Sequence, residues 1–284
     1  MKAYINTYFY DYAKELKDGD YCFSFSSDDK YPYEQIKAVY KDQFNDIRPH
    51  GKSAFLLVSS HSVGYIKDEL NIEIKSNLNY ITYMMARAFK YDFSHCELIN
   101  SVACANSMLG IKRAITLLNN GFDSVLLMGC NFVSPKTKKL FKELGIKTSL
   151  CEGVAIFLLD KRVSKSSILN AGLICDINTT SALTLCKDSY KSIFKMALNG
   201  DEIDGVKAHF STQINNNIEL DAIKEVFGDD IKITHYKDKI GHTLDASGLI
   251  EFGLFLDDDY NGRWVFSSSG FGGNYGFFTI QVKK

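Results

Sequence analysis

The chain has 284 residues, 45% of them hydrophobic and 24% charged, with a formal net charge of −1. That balance suits a globular chain with one large core or two packed halves. It offers no global attraction for nucleic acid or a membrane surface, and no stretch approaches the roughly 18 apolar residues of a membrane span. The opening stretch "MKAYINTYFYDYAKELKDGD" carries charges every few residues and lacks the apolar core of a secretory signal. Seven cysteines (Cys22, Cys96, Cys104, Cys130, Cys151, Cys175 and Cys186) form no CxxC pair. An odd, scattered set argues against a zinc knuckle or a disulfide framework, so a reducing cytoplasm is the expected setting.

Residues 1–50 are rich in aromatics and charges and show no clear motif. "SAFLLVSS" (Ser53–Ser60) reads as a buried strand, and a helix is expected over Ser76–Phe89. "CELINSVAC" reads as a strand. "ANSMLGIKRAITLLNNG" follows as a helix, with Met108, Leu109, Ile111, Ile115 and Leu118 near helical spacing and Asn-Asn-Gly to end it. "DSVLLMGCNF" and "GVAIFLLDK" read as strands on either side of a basic helix, "TKKLFKELGIK". The polar connector "RVSKSSIL" sets a boundary near Val163, giving halves 1–162 and 163–284. The second half repeats the alternation, from the strand "ILNAGLICDINT" to two closing strands around "SSSGFGGNYG". Such alternation implies an α/β fold with sheets covered on both faces.

Two motifs mislead. "HGKS" (His50–Ser53) has the ending of a phosphate loop, but the required earlier glycine is Asp46, so a turn is expected. "GFGGNYG" resembles a dinucleotide loop, but its third glycine would fall on Tyr275 and no helix follows.

Four segments make sense as one site: "VACANS" around Cys104, "KAHFSTQINNNIE" with His209 and Glu219, "HYKDKIGHTLDASG" with Lys237 and His242, and "SSSGFGGNYG". In order, they resemble the nucleophile, the two histidine motifs and the closing glycine loop of the β-ketoacyl-acyl-carrier-protein synthases. These are condensing enzymes of the thiolase-like superfamily. "NNGFDSVLLMGCNF" and "CEGVAIFLLDK" resemble the stretches between. The likeness runs from about Phe93 to the C-terminus. The chain departs from the family pattern by being short. It reads His209-Phe210-Ser211-Thr212-Gln213 where the family has H-G-T-G-T, and it carries Asp238 and Asn274 at usual Ser and Thr positions.

The resemblance implies a five-layered αβαβα fold of two pseudo-symmetric halves. It makes Cys104 the nucleophile accepting an acyl group, with His209 and His242 as donors to the enolate formed by decarboxylating a malonyl thioester. Lys237 would set the electrostatics near His209, and Glu219 would orient Lys237. The backbone N–H groups of Cys104 and Phe271 would form an oxyanion hole, Phe271 would gate the acyl tunnel, and Gly270, Gly272 and Gly273 would let backbone approach substrate. Ser211 would touch the pantetheine arm. No metal and no bound cofactor are implied; substrates arrive on the phosphopantetheine of an acyl carrier protein, and a homodimer or a heterodimer with another ketosynthase is expected. The lysines of the basic helix (Lys136, Lys138, Lys139, Lys142 and Lys147) suit either a solvated face or a surface that steers an acidic carrier.

Each residue also has a plainer reading. Cys104 alone is a small buried hydrophobe, His209 and His242 satisfied polar residues, and Lys237 and Glu219 surface charges. His61, His95 and His235 have no partner motif, and Cys151 reads as structural. Three activities stay open: an active condensing enzyme, a non-condensing partner subunit, and an acyltransferase on the same fold.

Overall fold

Apolar runs without alternation, such as "SAFLLV", predict strands buried on both faces. The computed structural model, which describes residues 2–23, 32–59, 80–133, 135–178, 185–211 and 213–284, shows how both faces are covered. Strand β4 (Ser53–Val58) sends Phe55 and Leu57 to one apolar cluster and Leu56 and Val58 to another. It pairs in parallel with β5 (His95–Ile99) and β6 (Ser124–Asn131). Antiparallel β7 (Gly153–Asp160) and β1 (Ala3–Tyr12) extend the set. Its outer face is covered by α1 (Pro32–Val39), α2 (Lys41–Asp46) and α3 (Tyr80–Ala88), through Ile36, Phe44, Ile81 and Met85.

The second half repeats this pattern strand for strand. Here β9 (Gly205–Lys207) pairs in parallel with β10 (Lys232–Thr234) and β11 (Gly262–Gly270). β12 (Asn274–Val282) and β8 (Ser166–Cys175) follow antiparallel. The order β10-β9-β11-β12-β8 therefore mirrors β1-β7-β6-β4-β5, and a short antiparallel ladder between β1 and β8 makes one ten-stranded sheet. Helices α6 (Lys187–Leu198) and α7 (Gln213–Phe227) cover the outer face of this second set through Tyr190, Ile193, Ala222 and Ile223. Between the two sets lie α4 (Asn106–Asn119) and α9 (Ser247–Asp257), whose Met108, Ile111, Leu249 and Phe252 join one cluster with strands of both halves. The five layers implied by the resemblance are thus present, with the two sheets continuous through the β1–β8 seam.

Several expectations are corrected. The N-terminal aromatic stretch is not featureless: it forms β1, a ten-residue strand at the middle of the sheet. The strand around "CELINSVAC" stops at Ile99, which leaves Cys104 in a separate 3-10 turn, Ala103–Ala105. Helix α7 begins at Gln213, and Glu219 lies within it. The expected helix over Ser76–Phe89 is seen as α3, and residues 76–79 fall outside the described residues, as does His61. "HGKS" is a turn, with Gly51 at φ 60° and His50 Nε2 3.0 Å from Asp160 Oδ2. Among the described residues, no helix is long and apolar enough to cross a membrane.

Candidate active site

Cys104 sits at the tip of a tight elbow between β5 and α4. Ala103 holds a φ of 48°, a left-handed conformation unusual for a residue with a Cβ. Neighbouring groups over-determine it. Asn106 Oδ1 accepts the Val102 N–H at 2.9 Å, and Asn106 Nδ2 donates to Asp245 Oδ1 at 2.8 Å. Ser107 Oγ donates to the Asp245 carbonyl at 2.5 Å. From the opposite side, Ser268 Oγ on β11 donates to the Cys104 carbonyl at 2.8 Å. Gly270 lets that strand end close in: a Cβ there would stand 2.3 Å from the Val102 carbonyl and 3.2 Å from the Cys104 N–H. The thiol faces an apolar cluster of Cys22, Val133, Phe141, Leu150 and Leu244, with Phe271 packed against it.

His242 follows the short helix α8 (Lys237–Ile240). Gly241 makes the connection at φ 76°, where a Cβ would meet the Ser149 carbonyl at 3.0 Å. The His242 N–H donates to that same carbonyl at 2.8 Å, and the Cys151 N–H donates back to the His242 carbonyl at 3.0 Å. So anchored, His242 places Nε2 3.3 Å from Cys104 Sγ. His209, just beyond β9, lies with its ring centroid 5.6 Å from that of His242 at an interplanar angle of 76°. One cysteine and two imidazoles from three distant segments therefore meet in one buried place.

Lys237 Nζ has three neighbours: the His209 carbonyl at 2.7 Å, Glu251 Oε1 at 2.8 Å and His209 Nδ1 at 3.1 Å. Three acceptors account for the three N–H bonds of an ammonium. Nδ1 of His209 is thus the acceptor, and its proton sits on Nε2. Burial, then Lys237, His242 and Lys207, hold the His209 imidazole well below its ordinary pKa, so it is neutral. Burial pushes the Cys104 thiol up to about 12, with Asp245 adding to the rise and Lys237 opposing it. The resting group is therefore a thiol.

The expected role of Glu219 is corrected. Its carboxylate does not orient Lys237. It accepts the backbone N–H groups of His209 and Phe210, each at 2.9 Å, and the Ser267 hydroxyl at 2.5 Å. It braces the chain that carries His209. The carboxylate on Lys237 is Glu251, fully buried on α9, and its other oxygen pairs with a second fully buried lysine, Lys207. Neither Lys207 nor Glu251 was singled out from sequence. A signal existed: each is a lone charge inside an apolar run, "GVKAHF" and "GLIEFGLFL", and such charges are almost never fully buried unless paired.

The other expected residues lie as follows. Phe271 packs on Phe141 with ring centroids 6.0 Å apart. Gly272 and Gly273 make the β11–β12 turn with φ of 80° and 77°. At Gly272 the space for a Cβ is open, so the turn, not a close approach, requires it. Ser211 is part-exposed, two residues past His209. His95 pairs with Glu97 at 2.8 Å and His235 with Asp238 at 3.5 Å, both away from the site's hydrogen bonds. Cys151 is buried, its thiol 3.3 Å from the Glu152 carbonyl. On the basic helix α5 (Pro135–Glu143), Lys138 pairs with Asp20 at 3.2 Å and Lys139 with Glu143 at 3.8 Å, while Lys142 and Lys147 are exposed.

A model of the family described as "Beta-ketoacyl synthase, C-terminal domain" matches residues 176–256, the stretch that carries Lys207, His209, Glu219, Lys237, His242 and Glu251. Over these residues the chain is similar to the C-terminal domain of the β-ketoacyl synthases. The ketosynthase from module 6 of the bacillaene synthase of Bacillus subtilis 168 superposes with a TM-score of 0.70 at 16% identity, over 89% of this chain and 58% of that one. A type II polyketide synthase ketosynthase, in complex with its acyl-carrier protein and bound to the hexaketide, superposes at 0.74 with 18% identity, over 93% and 87%. The ishigamide ketosynthase/chain length factor gives 0.69 at 18% identity, over 84% and 77%. At these identities the likeness is one of fold. No curated protein sequence matches the chain. The ketosynthase-like chain thus spans 58% of the bacillaene ketosynthase chain.

Proposed function

We propose that the protein is a β-ketoacyl-acyl-carrier-protein synthase: an acyl group moves from a carrier thioester to Cys104 and is then condensed with a malonyl thioester. The observation that carries this reading is the convergence of Cys104 Sγ, 3.3 Å from His242 Nε2, with a neutral His209 beside it. In the first step the thiol proton passes to His242 Nε2 as sulfur attacks the thioester carbonyl, and His242 returns it to the carrier thiolate as the carrier C–S bond breaks. The negative charge that develops on the carbonyl oxygen needs preorganised donors, a role suited to the backbone N–H groups of Cys104 and Phe271. In the second step the malonyl thioester loses carbon dioxide. The enolate oxygen then accepts from Nε2–H of His209 and from His242, and the enolate carbon attacks the acyl group on Cys104; the C–S bond breaks, the β-ketoacyl group stays on the carrier, and the released Cys104 thiolate is reprotonated from solvent. Neutral imidazoles suit this: they donate without giving up a proton to the product.

The carrier would be an acidic acyl carrier protein drawn to Lys142 and Lys147, with Ser211 near its pantetheine arm. A non-condensing partner role is the competing reading; an acyltransferase on the same fold would use Cys104 without decarboxylation. Mass spectrometry of the protein incubated with acyl- and malonyl-carrier protein separates them. Acylation of Cys104 with carbon dioxide release supports condensation, acylation alone supports transfer, and neither supports the partner role. Changing Lys142 and Lys147 to Glu should raise the apparent KM for carrier substrates; an unchanged KM overturns the docking face.

A further inference from the structure

Lys207 is a fully buried lysine that none of the steps above uses; burial pulls its pKa down and Glu251 opposes that fall. It lies two residues before His209 on β9, packs 5.8 Å from the centroid of the Phe266 ring, and pairs with Glu251. Glu251 thereby carries one lysine on each oxygen: Lys207 on Oε2 and Lys237 on Oε1, with the Ser247 hydroxyl also on Oε1. Lys237 in turn donates to His209 Nδ1. A straight chain of contacts therefore runs Lys207–Glu251–Lys237–His209.

We propose that Lys207 is a positioning residue for His209: as the second positive charge on Glu251 it keeps that carboxylate ionised, so that Lys237 stays an ammonium and pins His209 as the neutral Nε2–H tautomer. The charged and titratable groups around His209 fit this. Lys207 comes from β9, Glu219 from α7, Lys237 from α8, His242 and Asp245 from the segment after it, Glu251 from α9 and Cys104 from the elbow. Tyr190 of α6 faces Glu219 from behind. Burial raises the Glu219 pKa, with Ser267, the His209 and Phe210 N–H groups and then Lys207 opposing that rise, while Lys207 and Lys237 together hold Glu251 down. Without Lys207, two buried carboxylates share one ammonium, and one of them, or His209, takes up a proton.

The consequence for decarboxylation rests on the condensing reading, but the tautomer does not and can be read without substrate. The experiment is a pH titration of the full chain labelled with nitrogen-15 in histidine, followed by NMR, with His242→Asn used to assign His209. The wild-type protein should hold His209 neutral with the proton on Nε2 well below an ordinary imidazole midpoint near 6.5. Lys207→Met should move the His209 midpoint upward, while Lys207→Arg, which keeps the charge, should restore the wild-type behaviour. An unchanged midpoint in Lys207→Met overturns the proposal, since a purely structural lysine would alter stability alone. Should Lys207→Met fail to fold, Lys207→Gln removes the charge while leaving an amide donor for Glu251. Its His209 midpoint should then rise as in Lys207→Met, and retention of the low midpoint overturns the proposal equally. In Lys207→Met, the acid limb of malonyl-carrier decarboxylation should shift in the same direction. If the NMR shift appears and the wild-type protein decarboxylates nothing, the condensing reading fails and the role of Lys207 stands.

Discussion

The two imidazoles of the site are neighbours set in opposite surroundings. His242 stands against Cys104 and an apolar cluster of Cys22, Val133, Phe141, Leu150 and Leu244, and backbone hydrogen bonds from residues 149–151 hold it in place. His209 stands on a bed of four buried charges: Lys207, Lys237, Glu219 and Glu251. The apolar side suits a group that must meet an acyl chain and give or take one proton with sulfur. The charged side suits a group whose protonation must not change. The same side chain is set against sulfur in one environment and held neutral in the other.

Substitutions can break this division of labour. Cys104→Ala should abolish acyl transfer, seen as loss of the mass increment after incubation with acyl-carrier protein, while leaving the His209 network intact. His209→Ala and His242→Ala should each slow malonyl-carrier decarboxylation by about 100- to 1,000-fold, the usual cost of one missing oxyanion donor; equal rates in all three proteins would show that neither imidazole faces the enolate. Glu251→Gln leaves two buried ammoniums facing a neutral amide and should cost about 3–5 kcal/mol of stability, measured by chemical denaturation. No comparable charge is stranded by His242→Asn on the apolar side, and the loss there should be smaller.

Acidification sharpens the contrast. His209 is held below its ordinary pKa, so the unfolded chain binds its proton first and stability falls as pH drops below about 6.5. Glu251, lowered to about 2 against 4.5, adds a second loss below pH 4.5. His209→Gln should flatten the first part of that curve in thermal melts taken across the range. The smallest effect is expected at Asp245. Its charge adds to the rise of the Cys104 thiol pKa, so Asp245→Asn should speed iodoacetamide labelling of Cys104 a few-fold at pH 8.

Much of the site was legible because the chemistry needs particular residues in particular loops. Cys104, His209, Lys237, His242 and the glycine turn each sit in a short motif, and the structure brings them together. The supporting network was not legible, because its members answer to partners far away in sequence. Glu219 lies ten residues past His209, and spacing alone could not say that its carboxylate would turn to the backbone N–H groups rather than to Lys237. Asn106 and Asp245 look like ordinary polar residues until the elbow and the 3-10 turn after His242 touch. In the fold, the buried strands β4, β6 and β7 announced themselves as apolar runs, whereas β1 mixes Asn, Thr and Asp with its aromatics. Its β-forming Ile, Thr, Tyr and Phe were the available signal.

The placement of β1 has a consequence for how the chain is made. Its register is with β7, from Tyr4 opposite Asp160 to Tyr12 opposite Gly153, and among the described residues its other ladder is with Ile168 and Ser167 of β8. The strand therefore leaves the ribosome long before either partner. Local units such as β4–α3–β5 can form early, but the middle of the sheet waits on contacts of very long sequence separation, which close slowly. Throughout that wait a tyrosine-rich strand has both edges open, a state prone to pairing with other nascent chains. The yield of folded protein should accordingly depend on how quickly translation carries the chain from Tyr12 to Ile168.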